Sequence, residues 1–454
     1  MTGSGGVPVG DTIAARATPP GRGGVAVVRV SGPGIAAIAE PLLDRGLPAA
    51  RRASLRGFLD ADGTPIDDGL VLYFPGPNSF TGEDVLELHG HGGEVVVGRL
   101  LARLRALGVR EAEPGEFSRR AFINGRMDLS QAEAIADLID ARSEAAARAA
   151  LRSLNGEFGQ TVHGLTEATT RLRIHVESAI DFPDEAIDIA DDQQVRSQLA
   201  ELEATLDGTL ATARRGRTLR DGMQVVIIGH PNVGKSSLLN RLAGEDTAIV
   251  TEIPGTTRDT LREDLIIDGM PLQIVDTAGL RDSGDPIEQE GVRRAWQAIH
   301  RCDRVLLVTD AQRGVADAEA AFLARLPATI GVTVIRNKID LAGEADGEIP
   351  SAAPPCIRVS ATLGVGIDAL RAHLRSVMGA GDAGGEYSAR QRHIDALERA
   401  RHHLAGARAQ AEAGAGELMA EELGFVQAAL GEITGEVTSD DLLGRIFATF
   451  CIGK

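Results

Sequence analysis

The stretch that decides the fold is Val225-Val226-Ile227-Ile228-Gly229-His230-Pro231-Asn232-Val233-Gly234-Lys235-Ser236, an apolar run followed by a glycine-rich turn. The turn has the pattern G-x-x-x-x-G-K-[ST], and the helical pattern Ser237-Leu238-Leu239-Asn240 follows it. This order is typical of a strand, a phosphate-binding loop and a helix, because backbone N–H groups at a helix N-terminus attract phosphate. We expect Lys235 to reach the β- and γ-phosphates and the Ser236 hydroxyl to bind Mg²⁺.

Three further motifs follow predicted strands and indicate that the nucleotide carries guanine. Asp276-Thr277-Ala278-Gly279 places a carboxylate where it can hold Mg²⁺ through water, with a glycine near the γ-phosphate. Asn337-Lys338-Ile339-Asp340 offers a carboxylate that accepts from guanine N1–H and the 2-amino group, a pairing that adenine does not have. Ser360-Ala361-Thr362 can close over the base with backbone groups. Together the four motifs predict a GTPase domain.

The segment between the first and second motifs has the position of a switch. We expect Thr257, in Gly255-Thr256-Thr257-Arg258-Asp259, to complete the Mg²⁺ shell when GTP is bound. The residue after the Asp276 motif is Leu280, where Ras-like enzymes have a Gln that orients water. Leucine cannot do this, and spacing alone leaves five nearby candidates open: Arg281, Asp282, Asp285, Glu288 and Glu290.

Composition changes three times along the 454 residues and predicts several domains. Residues 1–126 alternate β-like runs with Gly/Pro turns around one helix, which predicts an α+β domain. Residues 221–380 alternate strands and helices, which predicts a doubly wound, mostly parallel sheet. Residues 127–220 and 381–454 have helical periodicity. We expect them to form one all-α domain split by insertion, since domain termini often lie close together; two separate helical domains are the alternative.

The composition excludes several classes of protein. The net charge of −18 argues against a fully basic nucleic-acid coat, although local basic clusters occur. No apolar run approaches the roughly 20 residues that span a bilayer, and the first residues lack the pattern of a secretory signal. Three cysteines far apart argue against a disulfide framework or a zinc cluster. We therefore expect a cytoplasmic protein that does not enter a membrane.

Several other stretches carry a resemblance that covers essentially the whole chain. They are Asp11-Thr12-Ile13-Ala14-Ala15, Ala17-Thr18-Pro19-Pro20-Gly21-Arg22-Gly23-Gly24, Pro77-Asn78-Ser79-Phe80-Thr81-Gly82-Glu83-Asp84, Pro114-Gly115-Glu116-Phe117, Asp440-Asp441-Leu442-Leu443-Gly444-Arg445-Ile446-Phe447 and Phe450-Cys451-Ile452-Gly453-Lys454. With the GTPase motifs, and above all with the terminal Cys-Ile-Gly-Lys, the sequence resembles the bacterial and organellar tRNA-modification GTPase family MnmE, also called TrmE.

The resemblance implies an N-terminal domain that dimerises and binds a tetrahydrofolate, a split helical domain and an inserted G domain. It implies a homodimer that joins the FAD-dependent protein MnmG (GidA) in a heterotetrameric or larger complex and acts on tRNA. The implied reaction places an aminomethyl or carboxymethylaminomethyl group on carbon 5 of the wobble uridine. 5-Formyl- or methylene-tetrahydrofolate would supply the one-carbon unit, and glycine or ammonium the nitrogen. GTP hydrolysis would be activated by K⁺ and accompany dimerisation of the G domains.

Carried over residue by residue, the family's sites fall on definite positions of this chain. The K⁺ ligands fall on Asn232, Thr251, Ile253 and Thr256, although an Asn in this loop is also ordinary turn chemistry. The water-orienting glutamate falls on Glu288. The folate contacts fall on Arg29, Glu87, Arg126 and Lys454, with Arg126 standing where some members have Lys. Cys451 is a candidate nucleophile or redox residue, with a packed tail thiol as the alternative.

The full set of predicted nucleotide contacts comes from five stretches of the chain. It comprises Asn232, Val233, Gly234, Lys235, Ser236, Ser237, Thr251, Glu252, Ile253, Pro254, Gly255, Thr256, Thr257, Asp276, Thr277, Ala278, Gly279, Asn337, Lys338, Ile339, Asp340, Ser360, Ala361 and Thr362. Within this set, Ser236 and Thr257 are the predicted Mg²⁺ ligands.

Two other classes of protein compete with this interpretation. A ribosome-assembly GTPase like Era or Der would act as a switch without covalent chemistry, but the C-terminal part has no KH-like Gly-x-x-Gly loop between a helix and a strand. A membrane-linked G protein resembling ferrous-iron transporters is disfavoured by the missing span. Two basic clusters could contact tRNA or be solvated helix faces: Arg99, Arg103, Arg105, Arg110, Arg119, Arg120, and Arg214, Arg215, Arg217, Arg220.

Overall fold

The structure is a computed structural model of the chain. It describes residues 11–181, 192–230, 232–243, 262–267, 270–276, 302–314, 321–327, 330–350, 352–377, 385–437, 439–450 and 453. The chain divides into two compact units. The first contains Met1–Ala136, Ser153–Leu202 and Arg399–Lys454, and the second contains Asp137–Arg152 and Glu203–Glu398.

The N-terminal part of the first unit is built on a six-stranded sheet. The strands are β1 (Ile13–Arg16), β2 (Gly23–Ser31), β3 (Ser54–Leu59), β4 (Pro65–Phe74), β5 (Val85–Gly92) and β6 (Arg110–Glu111), in the order β3-β4-β5-β2-β1-β6. Its pairings are antiparallel except for the parallel pairing of β1 with β6. The helices of this part are α1 (Ile35–Leu42), α2 (Glu94–Ala106) and α3 (Glu116–Ile123). The predicted α+β fold is confirmed.

The two faces of this sheet differ because successive side chains of a strand point to opposite sides. On one face, Val28 and Leu88 pack in a core with side chains of α1 and α2. On the other face, Ile13 and Ala15 pack with Phe117 of α3 in a smaller cluster. Arg29, which lies opposite Ala15 in the β1–β2 register, is therefore on the second face.

Four helices follow: α4 (Leu129–Asp140), α5 (Glu144–Leu154), α6 (Glu157–Asp181) and α7 (Gln193–Asp221). Ser130 and Glu133 have the S-x-x-E spacing of a capping box, which predicts a helix that begins after Ser130. Both residues lie inside α4, and it is the Asp128 carboxylate that accepts from Gln131 N–H at 2.8 Å. The start of α4 is therefore two residues earlier than the sequence pattern predicts, because Asp128 offers a better-placed oxygen.

The second unit contains a seven-stranded sheet. Its strands are β7 (Met223–Ile228), β8 (Arg262–Ile267), β9 (Met270–Asp276), β10 (Arg304–Asp310), β11 (Gly331–Asn337), β12 (Gly347–Ile349) and β13 (Cys356–Arg358), in the order β12-β13-β11-β10-β7-β9-β8. The five inner strands are parallel, and β8 and β12 are antiparallel edges. The helices α8 (Lys235–Ala243), α9 (Ile339–Ala342) and α10 (Ile367–Val377) belong to this unit.

This second sheet is covered on both faces, which explains its apolar strands. Val225 and Ile227 of β7 belong to one core, which also contains Leu238 of α8 and Leu370 of α10. Val226 and Ile228 belong to a separate core with Val305 and Leu307. The predicted doubly wound α/β fold is confirmed.

Three helices complete the chain: α11 (Gln391–Glu412), α12 (Gly416–Thr434) and α13 (Asp440–Phe447). Helix α12 packs on α6, and Gln427 donates to Thr170 Oγ1 at 2.6 Å and accepts from Arg173 at 3.0 Å. Helical segments from before and after the second sheet thus share the first unit. The domain boundaries at residues 126, 220 and 380 stay predictions. Within the described part of the chain, no helix combines the length and apolar character that a membrane crossing needs.

Candidate guanine-nucleotide site

Described residues of all four predicted nucleotide motifs lie at one edge of the second sheet. Strands β7, β9, β11 and β13 are joined by parallel pairings, directly or through β10, so their carboxyl ends lie at the same edge. Gly229 follows β7, Asp276 ends β9, Asn337 ends β11 and Ser360 follows β13. The strand order reverses at β7, and α/β sheets bind their ligands at such a point, outside the carboxyl ends of the strands.

The phosphate-loop backbone needs glycine at two positions. A Cβ on Gly229 would lie 2.2 Å from the Val308 carbonyl oxygen, and one on Gly234 would lie 2.4 Å from Asn337 Nδ2. Lys235 Nζ donates to the Gly229 carbonyl at 2.9 Å and to that of His230 at 3.3 Å. Its ammonium group is thereby held against the loop that the motif predicts to wrap the phosphates.

Asn337 connects the phosphate loop to the predicted base loop. The residue is 1% exposed. Its Nδ2 donates to the Val233 carbonyl at 2.7 Å, and its Oδ1 accepts from Ala361 N–H at 2.9 Å. Each half of the amide therefore has a backbone partner, one in each loop, and Asn337 fixes the spacing between them.

Lys338 is held by a residue that sequence reasoning missed. Its backbone is left-handed, with φ of 65°, and its Nζ lies 2.9 Å from Oδ2 of Asp310 at the end of β10. The hydrogen bond from Lys338 holds the pKa of Asp310 below its ordinary value, helped by the N–H of Gln312. The signal was available, because Asp310 is an acidic residue at the carboxyl end of a predicted parallel strand.

The other predicted residues of this site differ in their exposure to solvent, and several lie outside the described residues. Asp340 is exposed on α9, and Ser236 and Ser237 are exposed on the first turn of α8. Asp276 ends β9 and is paired with Ile227 in the parallel register of β7 and β9. A hydroxyl and a carboxylate are oxygen ligands of the kind that Mg²⁺ prefers, so this set of donors fits the ion. Thr251, Glu252, Ile253, Pro254, Gly255, Thr256, Thr257, Thr277, Ala278, Gly279 and Glu288 lie outside the described residues.

A second predicted site lies on the first sheet. Arg29 on β2 donates from Nε and Nη2 to Glu87 Oε1 on β5, at 3.1 and 3.0 Å, and both side chains are about one-fifth exposed. The guanidinium lies 5.0 Å from the ring centre of Phe80 and 5.8 Å from that of Phe117. A largely buried donor–acceptor pair with two aromatic rings close to its guanidinium can recognise a planar heterocycle by hydrogen bonding and stacking.

Of the two remaining predicted folate contacts, Arg126 lies within the described residues and Lys454 does not. Arg126 is exposed, and a Cβ on Gly82 would lie 3.2 Å from its Cγ. Lys454 and Cys451 lie outside the described residues. Their neighbour Gly453 has φ of 97°, and a Cβ there would lie 2.2 Å from the carbonyl oxygen of Arg16 on β1. Gly453 is therefore in tight contact with the backbone of β1.

A buried ionic network joins three of the stretches that carry the family resemblance. Arg120, which is 5% exposed, lies 2.6 Å from Asp11 Oδ1, 3.1 Å from Glu83 Oε2 and 3.0 Å from Glu116 Oε1. Burial raises the pKa of Glu116, but the guanidinium of Arg110, the N–H of Glu113 and the guanidinium of Arg120 outweigh it and lower the pKa below its ordinary value. The network fixes residues adjacent to Phe117 and near Phe80, and sequence reasoning assigned it no role.

Most arginines of the two basic clusters are paired within the chain. In one cluster, Arg214 pairs with Glu398, Arg215 with Glu386, Arg217 with Asp303, and Arg220 with Asp137. In the other, Arg99 pairs with Asp60, Arg105 with Glu111, and Arg110 and Arg120 with Glu116. This compensation favours a structural role over phosphate contact for these arginines.

Comparison with known proteins gives a consistent result over the whole chain. Residues 12–126 match the family model of the GTP-binding protein TrmE N-terminus, and residues 129–451 match that of the MnmE helical domain. A tRNA modification GTPase MnmE of Alkalilimnicola ehrlichii is 61% identical over 444 residues, which cover 98% of this chain and 99% of that protein. One of Yersinia pseudotuberculosis is 56% identical over 451 residues, with the same coverage.

Solved structures resemble parts of the chain more weakly. The G domain of the T. maritima FeoB iron transporter is 23% identical and covers 34% of this chain and 98% of that domain, with a TM-score of 0.26. Aquifex aeolicus Era is also 23% identical and covers 40% of this chain and 66% of that protein, with a TM-score of 0.27. The family models, by contrast, span residues 12–126 and 129–451, and the two relatives cover 98% of the chain. The chain therefore belongs to the MnmE (TrmE) family of tRNA modification GTPases.

Proposed function

We propose that this GTPase modifies the wobble uridine of certain tRNAs at carbon 5, placing an aminomethyl or carboxymethylaminomethyl group there. One observation carries the proposal. Described residues of the four motifs predicted to bind guanine nucleotide lie at one sheet edge, in a chain whose relatives, matched over 98% of its length, are named tRNA modification GTPases. The Arg29–Glu87 pair, with the rings of Phe80 and Phe117 close to its guanidinium, supports a second, one-carbon-donor site in the first unit.

In the proposed nucleotide site, separate residues bind the base, the phosphates and the metal ions. Asp340 pairs with guanine, and Lys235 and the loop N–H groups of residues 232–237 hold the phosphates. Ser236 and Thr257 hold Mg²⁺, which neutralises charge on the β- and γ-phosphates when it is bound. The exposed Asn232 would supply an amide oxygen to K⁺, together with Thr251, Ile253 and Thr256. A cation at that place adds positive charge where other GTPases use an arginine finger. Glu288 is proposed to orient the attacking water.

The proposed folate site uses both charges of the Arg29–Glu87 pair. Glu87 can accept from ring N–H groups of 5-formyl- or methylene-tetrahydrofolate, and Arg29 can donate to a ring carbonyl. Arg126 and Lys454 would supply cations for the carboxylates of the folate tail. Phe80 lies 5.0 Å from the guanidinium of Arg29 and offers a surface for stacking. Cys451 stays a candidate for covalent or redox chemistry at this place.

The proposal includes partners. Leu55 and Leu70 are 61% and 45% exposed and lie opposite each other in the β3–β4 register, so this face of the first sheet has apolar surface that a second copy of the chain would cover. We propose a cytoplasmic homodimer that works with the FAD protein MnmG (GidA) in a heterotetrameric or larger complex. Because most of the clustered arginines pair internally, we expect the partner to supply much of the tRNA affinity.

The decisive experiment is mass spectrometry of tRNA nucleosides from cells that lack this protein, complemented with variants. Wild-type protein and the surface variant Arg171→Ala should restore the modified wobble uridine, since the Arg171 side chain is 67% exposed. Lys235→Ala and Arg29→Ala should not. If wild-type protein accumulates normally and the wobble uridine stays unmodified, the proposal is wrong. A defect in ribosomal RNA maturation without a change in tRNA nucleosides would favour the ribosome-assembly alternative.

A further inference from the structure

One arginine of the phosphate-loop helix is bonded to the predicted base loop. Arg241 lies in the last turn of α8, two turns from Lys235. Its Nε donates to the Ala361 carbonyl at 3.1 Å, and its Nη2 donates to the Thr362 carbonyl at 3.0 Å. Two N–H groups of one planar guanidinium thus hold two successive carbonyls, a fork that a lysine cannot reproduce.

The base loop has little freedom on its other sides. Its N–H group at Ala361 donates to Asn337, and Ser360 N–H donates to the Val365 carbonyl at 2.8 Å. Gly364 has φ of 78°, and a Cβ there would lie 3.5 Å from Arg241 Cζ, in van der Waals contact with the guanidinium. The loop is therefore fixed through N–H groups by Asn337 and by its own closure, and through carbonyls by Arg241.

The orientation of the peptide planes gives these contacts a consequence for the base. In a trans peptide, the carbonyl and the following N–H point in opposite directions. When Arg241 draws the Ala361 carbonyl toward α8, the Thr362 N–H turns away from α8. Arg241 therefore determines which way the backbone donors of the loop point, although it is bonded only to carbonyls.

We propose that Arg241 is a positioning residue for guanine recognition, which holds the Ser360-Ala361-Thr362 loop in the orientation that closes over the base. The inference rests on the proposed guanine site. It also connects the two ends of the nucleotide, because α8 begins at the phosphate residues Lys235 and Ser236 and is bonded to the base loop in its last turn.

The test measures nucleotide release from the full-length protein with N-methylanthraniloyl-GDP. Arg241→Ala should release GDP about tenfold faster than wild type, equivalent to about 1.4 kcal/mol. Arg241→Lys should fall between them, since it keeps the charge and loses the fork. The KM for GTP should rise by a similar factor while kcat at saturating GTP changes less than twofold, because the phosphate contacts are intact.

Arg371→Ala is the matched control. Arg371 lies on α10 and donates to the Leu242 carbonyl of α8 at 3.4 Å, so its loss perturbs the same helix end without touching the base loop. Its release rate should equal that of wild type within twofold. A melting temperature within about 2 °C of wild type shows that each variant is folded. If Arg241→Ala is not folded, the release rate of Arg241→Lys tests the proposal instead.

Two results would overturn the inference: release from the Arg241 variants no faster than from the Arg371 variant, or a fall in kcat without a change in KM. Failure of the underlying site is a different result. In that case wild-type protein would bind GDP and ADP equally, as shown by competition against the fluorescent nucleotide. If wild-type protein prefers GDP to ADP and the Arg241 variants release GDP at the wild-type rate, only the positioning role of Arg241 is refuted.

Discussion

Removing the Asn337 side chain should loosen the second unit and its nucleotide site together. Asn337→Ala leaves the Val233 carbonyl and the Ala361 N–H without their partner at a position that is 1% exposed. A buried polar group that loses its partner costs about 1–3 kcal/mol, so two such groups cost about 2–6 kcal/mol before the site relaxes. Water entering the vacated space would bring the cost toward the lower end of that range.

The change should be visible as a lower melting temperature of the second unit and as faster GDP release. For a domain of this size, each kcal/mol shifts the midpoint by about 2–4 °C, so a cost of about 3 kcal/mol predicts a shift of about 6–12 °C. Because the chain has two units, melting is followed by calorimetry, where saturating GDP identifies the transition of the nucleotide-binding unit by raising its midpoint.

Asn240→Ala is the control for this prediction, since Asn240 is an exposed residue of α8. Asn337→Asp distinguishes the two hydrogen bonds. It keeps an acceptor for Ala361 N–H but places a carboxylate oxygen where Nδ2 now lies, 2.7 Å from the Val233 carbonyl. We expect it to be at least as destabilising as Asn337→Ala. If both Asn337 variants melt and release GDP like the Asn240 variant, the linking role of Asn337 is refuted.

The remaining predictions concern the base, the cation and the buried network. Asp340→Asn should shift preference from GTP toward xanthosine triphosphate, because an amide replaces the acceptor for guanine N1–H; competition binding with both nucleotides measures it, and unchanged GTP affinity would contradict it. GTP turnover should be much faster in K⁺ than in Na⁺, and Asn232→Ala should abolish that difference; equal wild-type rates in both salts would refute the cation site. Glu116 has a lowered pKa, so its contribution to stability is present above its unfolded value near 4.5 and is lost as the pH falls through the folded value. Glu116→Gln should therefore destabilise the first unit at pH 7 and make its melting temperature less sensitive to acid. If the melting temperature of the variant depends on pH as that of the wild type does, the ion pairs of Glu116 contribute nothing to stability.

The nucleotide site was largely predictable because its determinants are local in sequence. The phosphate loop needs glycine at 229 and 234 for steric reasons, and each further motif follows a strand whose apolar run is visible in the sequence. Parallel pairing then brings the motifs to one edge without further information. Residues that touch these motifs only through the fold were missed. Asp310 and Arg241 belong to no motif, and their partners lie 28 and about 120 positions away.

The first unit shows the opposite case, in which short motifs were recognised but their physical purpose was not. Asp11, Glu83 and Glu116 lie in three separate stretches, and nothing in their spacing says that one buried guanidinium holds all three. Charges removed from water need several partners, so Arg120 is stable there only when the three stretches fold together. The same folding step brings Phe117 beside Arg29, because Phe117 adjoins Glu116 in sequence. The aromatic surroundings of the Arg29–Glu87 pair therefore depend on the complete fold of the N-terminal part, because the ionic network forms only in that fold. For this reason the contact residues could be carried over from a family, whereas the physical reason for the arrangement of those residues required the structure.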